Sequence, residues 1–182
     1  MPVWGWVLIA IAVIAIAVAI WFTYDRRRSR DLQRRFGPEY DRTVQAADGR
    51  RRGEADLQAR RERVEHLDLR TLSPSARRDF ADRWQRVQAH FVDDPHDAFW
   101  QADGLVSEVM RERGYPLDDF DPRADDISVD HPDVVEHYRE AHGIAMSDPK
   151  EVSDTEELRR GMVHYRSLFA ELLAPEERSQ VG

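Results

Sequence analysis

Residues 3–22 read VWGWVLIAIAVIAIAVAIWF, 20 positions without one charged side chain. At the helical rise such a run extends about 30 Å, the thickness of a bilayer's hydrocarbon core. A helix of that length in water needs a polar face, and this stretch has none. Asp25-Arg26-Arg27-Arg28-Ser29-Arg30-Asp31-Leu32-Gln33-Arg34-Arg35 follows directly. The expected fold is all-α: one N-terminal transmembrane helix, a charged helical stem and a C-terminal bundle of four to five helices. The boundaries implied are 1–24 for the anchor, 25–70 for the basic juxtamembrane segment and stem, 71–174 for the acidic bundle and 175–182 for a disordered tail.

The order of charges sets the expected topology. A secretory signal places basic residues before its apolar run, whereas residues 1–6 contain none and the arginines come after. The positive-inside bias then predicts an inner (plasma) membrane protein, with its N-terminus outside and its C-terminal domain cytoplasmic. Trp4, Trp6, Trp21 and Tyr24 fit the two interfacial belts. Ala15 and Ala19 make one small-xxx-small pair, so anchor or stem is a candidate for weak homo-oligomerisation. Arg26, Arg27, Arg28, Arg30, Arg34 and Arg35 are candidates for contact with anionic lipid, the bilayer being the first expected partner.

Charge is unevenly distributed along the 182 residues. Residues 26–66 hold 13 Arg against 8 acids, whereas residues 67–182 hold 14 basic against 26 acidic side chains. The C-terminal part therefore lacks the basic surface that nucleic acid requires, and no nucleic-acid partner is expected. The absence of cysteine excludes thiol catalysis, zinc–thiolate sites and disulfides.

Phe36-Gly37-Pro38 should end the juxtamembrane helix. A second helix is expected from Pro38 towards His66, with sparse apolar positions at Tyr40, Val44, Ala47, Leu57 and Val64. Arg51, Glu54 and Arg61 interrupt its seam, and Gly49 and Gly53 weaken it.

Helical signals sharpen after Thr71. Ser73-Pro74 is an N-cap with proline in the first turn, followed by an apolar stripe of Phe80, Trp84, Val87 and Phe91. Asp94-Pro95 repeats the start, with Ala98, Ala102, Leu105 and Val109 in line, and Gly114 closing. A short helix is expected within 118–127. Another should follow Asp130-His131-Pro132, bearing Val134, Tyr138, Ala141 and Ala145. Ser153-Asp154-Thr155-Glu156 reads as a capping box before Leu158, Met162, Tyr165, Phe169 and Leu172. No alternating strand pattern appears.

The stretches RRFGPEYDR (34–42), FVDDP (91–95) and SVDHP (128–132) resemble an uncharacterised bacterial family of single-pass membrane proteins with a soluble helical C-terminal domain. The resemblance implies an anchored architecture and supplies no catalytic residue.

Candidate chemistry is thin. Seven aspartates crowd residues 118–133, but an EF-hand register beginning at Asp119 puts Arg123 among the ligands and Ala124 where glycine is needed. His137 and His142 stand five apart and share no helix face. His142 falls on the apolar side between Val135 and Tyr138, while His90 and His164 sit at the edges of their stripes. His-Tyr-Arg occurs at 137–139 and again at 164–166, each time with tyrosine in the core stripe. No catalytic residue, cofactor or metal site is assigned. Arg139 and Arg166 are candidate partner contacts on an acidic background.

The expected function is a membrane-anchored interaction or scaffold protein, its second partner another protein. The alternative is a membrane-tethered, hydrolase-like enzyme with a His/Asp site in residues 118–142. A deep pocket lined by those groups would favour the enzyme; a shallow apolar patch would favour the scaffold.

Overall fold

The computed structural model describes residues 3–117, 119–147 and 155–175, with the side chains of residues 3, 5–11 and 25 outside the description. Eight helices follow in order: α1 (Val3–Phe36), α2 (Pro38–Ala46), α3 (Arg50–Glu65), α4 (Pro74–His90), α5 (Pro95–Arg113), α6 (Phe120–Asp130), α7 (Val135–Met146) and α8 (Thr155–Leu173). Among the described residues there is no strand, so the all-α expectation holds.

The single-pass reading is corrected. Among the described residues, no helix is long and apolar enough to cross a membrane. Helix α1 continues unbroken into the arginine block and ends at Phe36. The expected localisation, with the N-terminus outside and the C-terminal domain cytoplasmic at a plasma membrane, loses its basis with the span.

The chain divides into two compact units, Met1–Gln58 and Ala59–Gly182. In the first, Gly37 (φ 47°) separates α1 from α2, and Pro38 opens α2 as its first residue. One long helix from Pro38 to His66 does not form. Asp48 (φ 54°) and Gly49 (φ 134°) adopt left-handed backbone and break it into α2 and α3. The break lets α3 approach α2 so closely that a Cβ on Gly53 would stand 2.7 Å from the Val44 Cα. Glu54, an apparent interruption of the seam, is buried and accepts a hydrogen bond from the Tyr40 hydroxyl at 2.7 Å. Burial and that carboxylate push the Tyr40 pKa up to about 12.

The second unit is the helical bundle. Ser73 caps α4 through the Ala76 N–H, and Asp94 caps α5 through the Asp97 N–H. Gly114, in left-handed backbone at φ 92°, closes α5. Helix α8 packs on α5 and α7, while α4 lies on α5 and α6 on α7. Trp84 stacks on Phe169 with centroids 4.7 Å apart, and Phe99 meets Tyr165 at 5.4 Å. Phe80, Trp84, Val87, Ala98, Ala102, Leu105, Val109, Tyr138, Ala141, Ala145, Leu158, Met162, Tyr165, Phe169 and Leu172 all belong to one core, the stripes expected from periodicity. Gly161 is required where α8 meets α5, because a Cβ there would fall 2.4 Å from the Phe99 ring. Ser153 and Asp154 of the expected capping box, and residues 176–182 of the tail, lie outside the described residues.

Residues 59–70 pack within this second unit. Arg60 pairs with Asp125 at 2.7 Å, and Arg63 with Asp126 at 3.2 Å. The Arg70 N–H donates to the Arg113 carbonyl at 2.8 Å.

Candidate functional site

Helix α8 carries the side chains with most chemical potential, on two of its faces. Towards α7, the core positions Tyr138 and Tyr165 set the register, since each is fully buried and locks its helix in rotation. The residue before each is a histidine. With the two helices packed together, the His137 and His164 Nδ1 atoms lie 2.9 Å apart. Glu140, one turn beyond His137 on α7, places Oε2 3.0 Å from His164 Nε2. His137, Glu140 and His164 thus offer two nitrogens and one carboxylate oxygen, all within 4.8 Å of one another, at a partly exposed surface. Two ring nitrogens at 2.9 Å need one proton between them, one donating and the other accepting. The carboxylate on His164 Nε2 assigns that nitrogen the N–H, which leaves the His164 Nδ1 as acceptor and the His137 Nδ1–H as donor.

Towards α4, the same helix helps form a cleft of about 120 Å³ lined by Gln88, Phe91, Arg159, Met162, Val163 and Arg166. Phe91, Met162 and Val163 supply its apolar lining, and Arg159 and Arg166 its two guanidinium groups. Arg159 is held by Glu156 through its Nε at 2.9 Å. Among the described residues, Arg166 is exposed and has no carboxylate partner. A second, more polar cleft of about 310 Å³ lies between α4 and α5, with the Arg83–Glu108 pair at its wall.

Arg139 is not presented outwards: its side chain is 13% exposed and reaches Asp125 at 3.5 Å and Glu136 at 3.5 Å. Of the carboxylates in residues 118–142, Asp125 and Asp126 are taken up by Arg60, Arg63 and Arg139, and Asp118 lies outside the description. Burial raises the Asp126 pKa, with Arg63 and Arg60 opposing. His142 stacks flat on Phe120, centroids 3.6 Å apart, and its burial lowers its pKa. His131 faces Glu171 at 3.2 Å. Arg26, Arg27, Arg28, Arg30, Arg34 and Arg35 are exposed along the C-terminal part of α1. Arg26 also covers the Phe22 ring at 4.3 Å.

The histidine–glutamate cluster escaped sequence reasoning, although its signal was present. The repeated His-Tyr-Arg puts histidine beside a core tyrosine twice, and two such helices packed tyrosine-inward bring their histidines to one seam. Comparison with protein-family models, with curated proteins and with solved structures finds no match to this chain.

Proposed function

We propose that this protein is an interaction module whose helical bundle takes an apolar, acid-flanked segment of another protein in the cleft between α4 and α8. The observation that carries this reading is a cleft lined by the apolar Phe91, Met162 and Val163 together with the guanidinium groups of Arg159 and Arg166. A single large apolar side chain fills a space of that size, and a neighbouring carboxylate can meet the Arg166 fork in a bidentate pair. The net charge of −8 gives an acidic partner no long-range attraction, so recognition rests on these short-range contacts. The region that a His/Asp enzyme would use supports it less, because Asp125 and Asp126 are committed to arginines that fix the bundle.

The test is selection of binding peptides from a random displayed library on the full-length chain. Retained peptides should pair one aromatic or branched apolar residue with an adjacent acid, and should be lost on Arg166→Glu or Val163→Glu. Retained peptides without acids, or binding indifferent to both substitutions, would overturn the reading.

A further inference from the structure

The geometry points to a divalent-metal site of the zinc class on the α7–α8 seam, with the His137 and His164 Nδ1 atoms as ligands and Glu140 as the carboxylate that orients His164. It is independent of the cleft between α4 and α8. Two nitrogens bound to one zinc ion at about 2.0–2.1 Å stand roughly 3.0–3.4 Å from each other. The two Nδ1 atoms lie at 2.9 Å without metal, so an ion needs them to part by a few tenths of an ångström and both rings to tilt until their lone pairs converge beside the N···N line.

Three features separate this arrangement from an ordinary surface ion pair. The donors come from two helices, α7 and α8, whose relative register is fixed by the buried Tyr138 and Tyr165 next to them. The ring of His164 is held from behind: its Nε2 meets Glu140 Oε2 at 3.0 Å, the carboxylate–histidine arrangement that sets the tautomer and raises ligand basicity at metal sites. That hydrogen bond keeps the proton on Nε2 and leaves the Nδ1 lone pair directed at His137. His137 supplies its own Nδ1 lone pair once its proton moves to the partly exposed Nε2, a tautomer change that costs no net charge. Imidazole nitrogen as the first ligand type selects zinc, copper or nickel over calcium and magnesium, which take oxygen ligands. With two protein ligands the remaining positions belong to water, so the ion is exchangeable and fastens α7 to α8, in contrast to a closed four-ligand structural site.

The test uses the full-length chain, freed of metal with a chelator, and Zn²⁺ alone as the probe. Titration calorimetry should give one equivalent of zinc that excess Ca²⁺ or Mg²⁺ does not displace. Long-range ¹H–¹⁵N spectra of the wild-type chain should show the zinc-dependent shifts on the His137 and His164 Nδ1 atoms. His137→Gln and His164→Gln should each weaken binding more than Glu140→Gln, for which a loss of about 10–100-fold is expected. His66→Gln, at an exposed ring outside the seam, should leave it unchanged. Zinc shifts confined to other histidines, or no zinc binding by the wild-type chain, would overturn the site. Unchanged affinity in a folded His137→Gln/His164→Gln double variant would do so as well.

Discussion

The Nδ1 atoms of His137 and His164 stand 2.9 Å apart, while Glu140 holds the far nitrogen of His164. One proton must lie between the two rings. In the metal-free chain His137 should therefore be the Nδ1–H tautomer and His164 the Nε2–H tautomer. Ring ¹⁵N shifts at neutral pH read this directly. Two identical Nε2–H tautomers would show that the rings do not share the hydrogen bond.

Three helical glycines should respond oppositely to alanine. A Cβ at Gly104 or Gly143 meets nothing within 4 Å, so each change should stabilise the bundle by up to about 1 kcal/mol through helix propensity. At Gly161 the same methyl lands on the buried Phe99 ring, which also abuts Tyr165 and cannot swing away without disturbing the core. A loss of about 1–3 kcal/mol is expected there. Denaturant melts of the three variants decide it. Stabilisation at position 161 would place the α5–α8 contact elsewhere.

Removing Arg63 should produce a deficit that depends on pH. Asp126 is buried, and its raised pKa means that the folded state holds its proton more tightly than the unfolded chain does. For an acid shifted in that direction, stability rises as pH falls through the window between the unfolded and folded values. Arg63→Ala deletes an opposing charge and pushes the folded value higher still. The variant should lose about 1–3 kcal/mol near neutrality and recover part of it on acidification towards pH of about 4.5. Adding Asp126→Asn to Arg63→Ala should abolish that recovery. Parallel melts for the two variants that coincide at both pH values would remove Asp126 as the cause.

Arg113 is buried near the end of α5, and its Nη1 donates to the Leu172 carbonyl at 3.0 Å in the last turn of α8. A guanidinium at a helix C-terminus satisfies an orphan carbonyl and meets the negative end of the dipole. Arg113→Met keeps much of the stem's packing and deletes the donor, so a cost of about 1.5–3 kcal/mol is expected. Amide hydrogen exchange should rise first in the last turn of α8. Exchange that rises evenly over the bundle would argue against a local capping role.

His142 gives a direct titration check. Its ring lies flat on Phe120 and its burial disfavours the charged form, so its NMR-titrated pKa should fall below the ordinary 6.5. The folded state then binds this proton less readily than the unfolded chain, and the stability it contributes is present above about 6.5 and is lost as pH falls from there through the lower folded value. A measured value above 6.5 would mean that a carboxylate, not the apolar stack, governs the ring.

The local rules written in the sequence carried over where they depend on neighbours along the chain. Ser73-Pro74 and Asp94-Pro95 start α4 and α5, Gly114 ends α5, and the Phe80–Trp84–Val87 and Leu158–Met162–Tyr165 stripes face the core. Those features follow from hydrogen-bond capping and a 3.6-residue period, which need only a few consecutive residues. Periodicity failed for Glu54, because a charged residue at a seam position reads as an interruption until its partner, Tyr40 on another helix, is known.

Composition misled at residues 3–22, where an uncharged run suggested a span that no described helix is long and apolar enough to make. What only the tertiary structure decided are the relationships between helices. Arg60 and Arg63 draw residues 59–70 onto Asp125 and Asp126, although by composition they continue the basic stem. Arg139 and Arg166 occupy equivalent places in two identical tripeptides, yet one is enclosed by carboxylates and the other lines an apolar cleft. His137, Glu140 and His164 converge only because α7 and α8 pack with both tyrosines inward. A sequence states which face of each helix is buried; which neighbour that face meets, and in what register, depends on side-chain packing across the whole bundle.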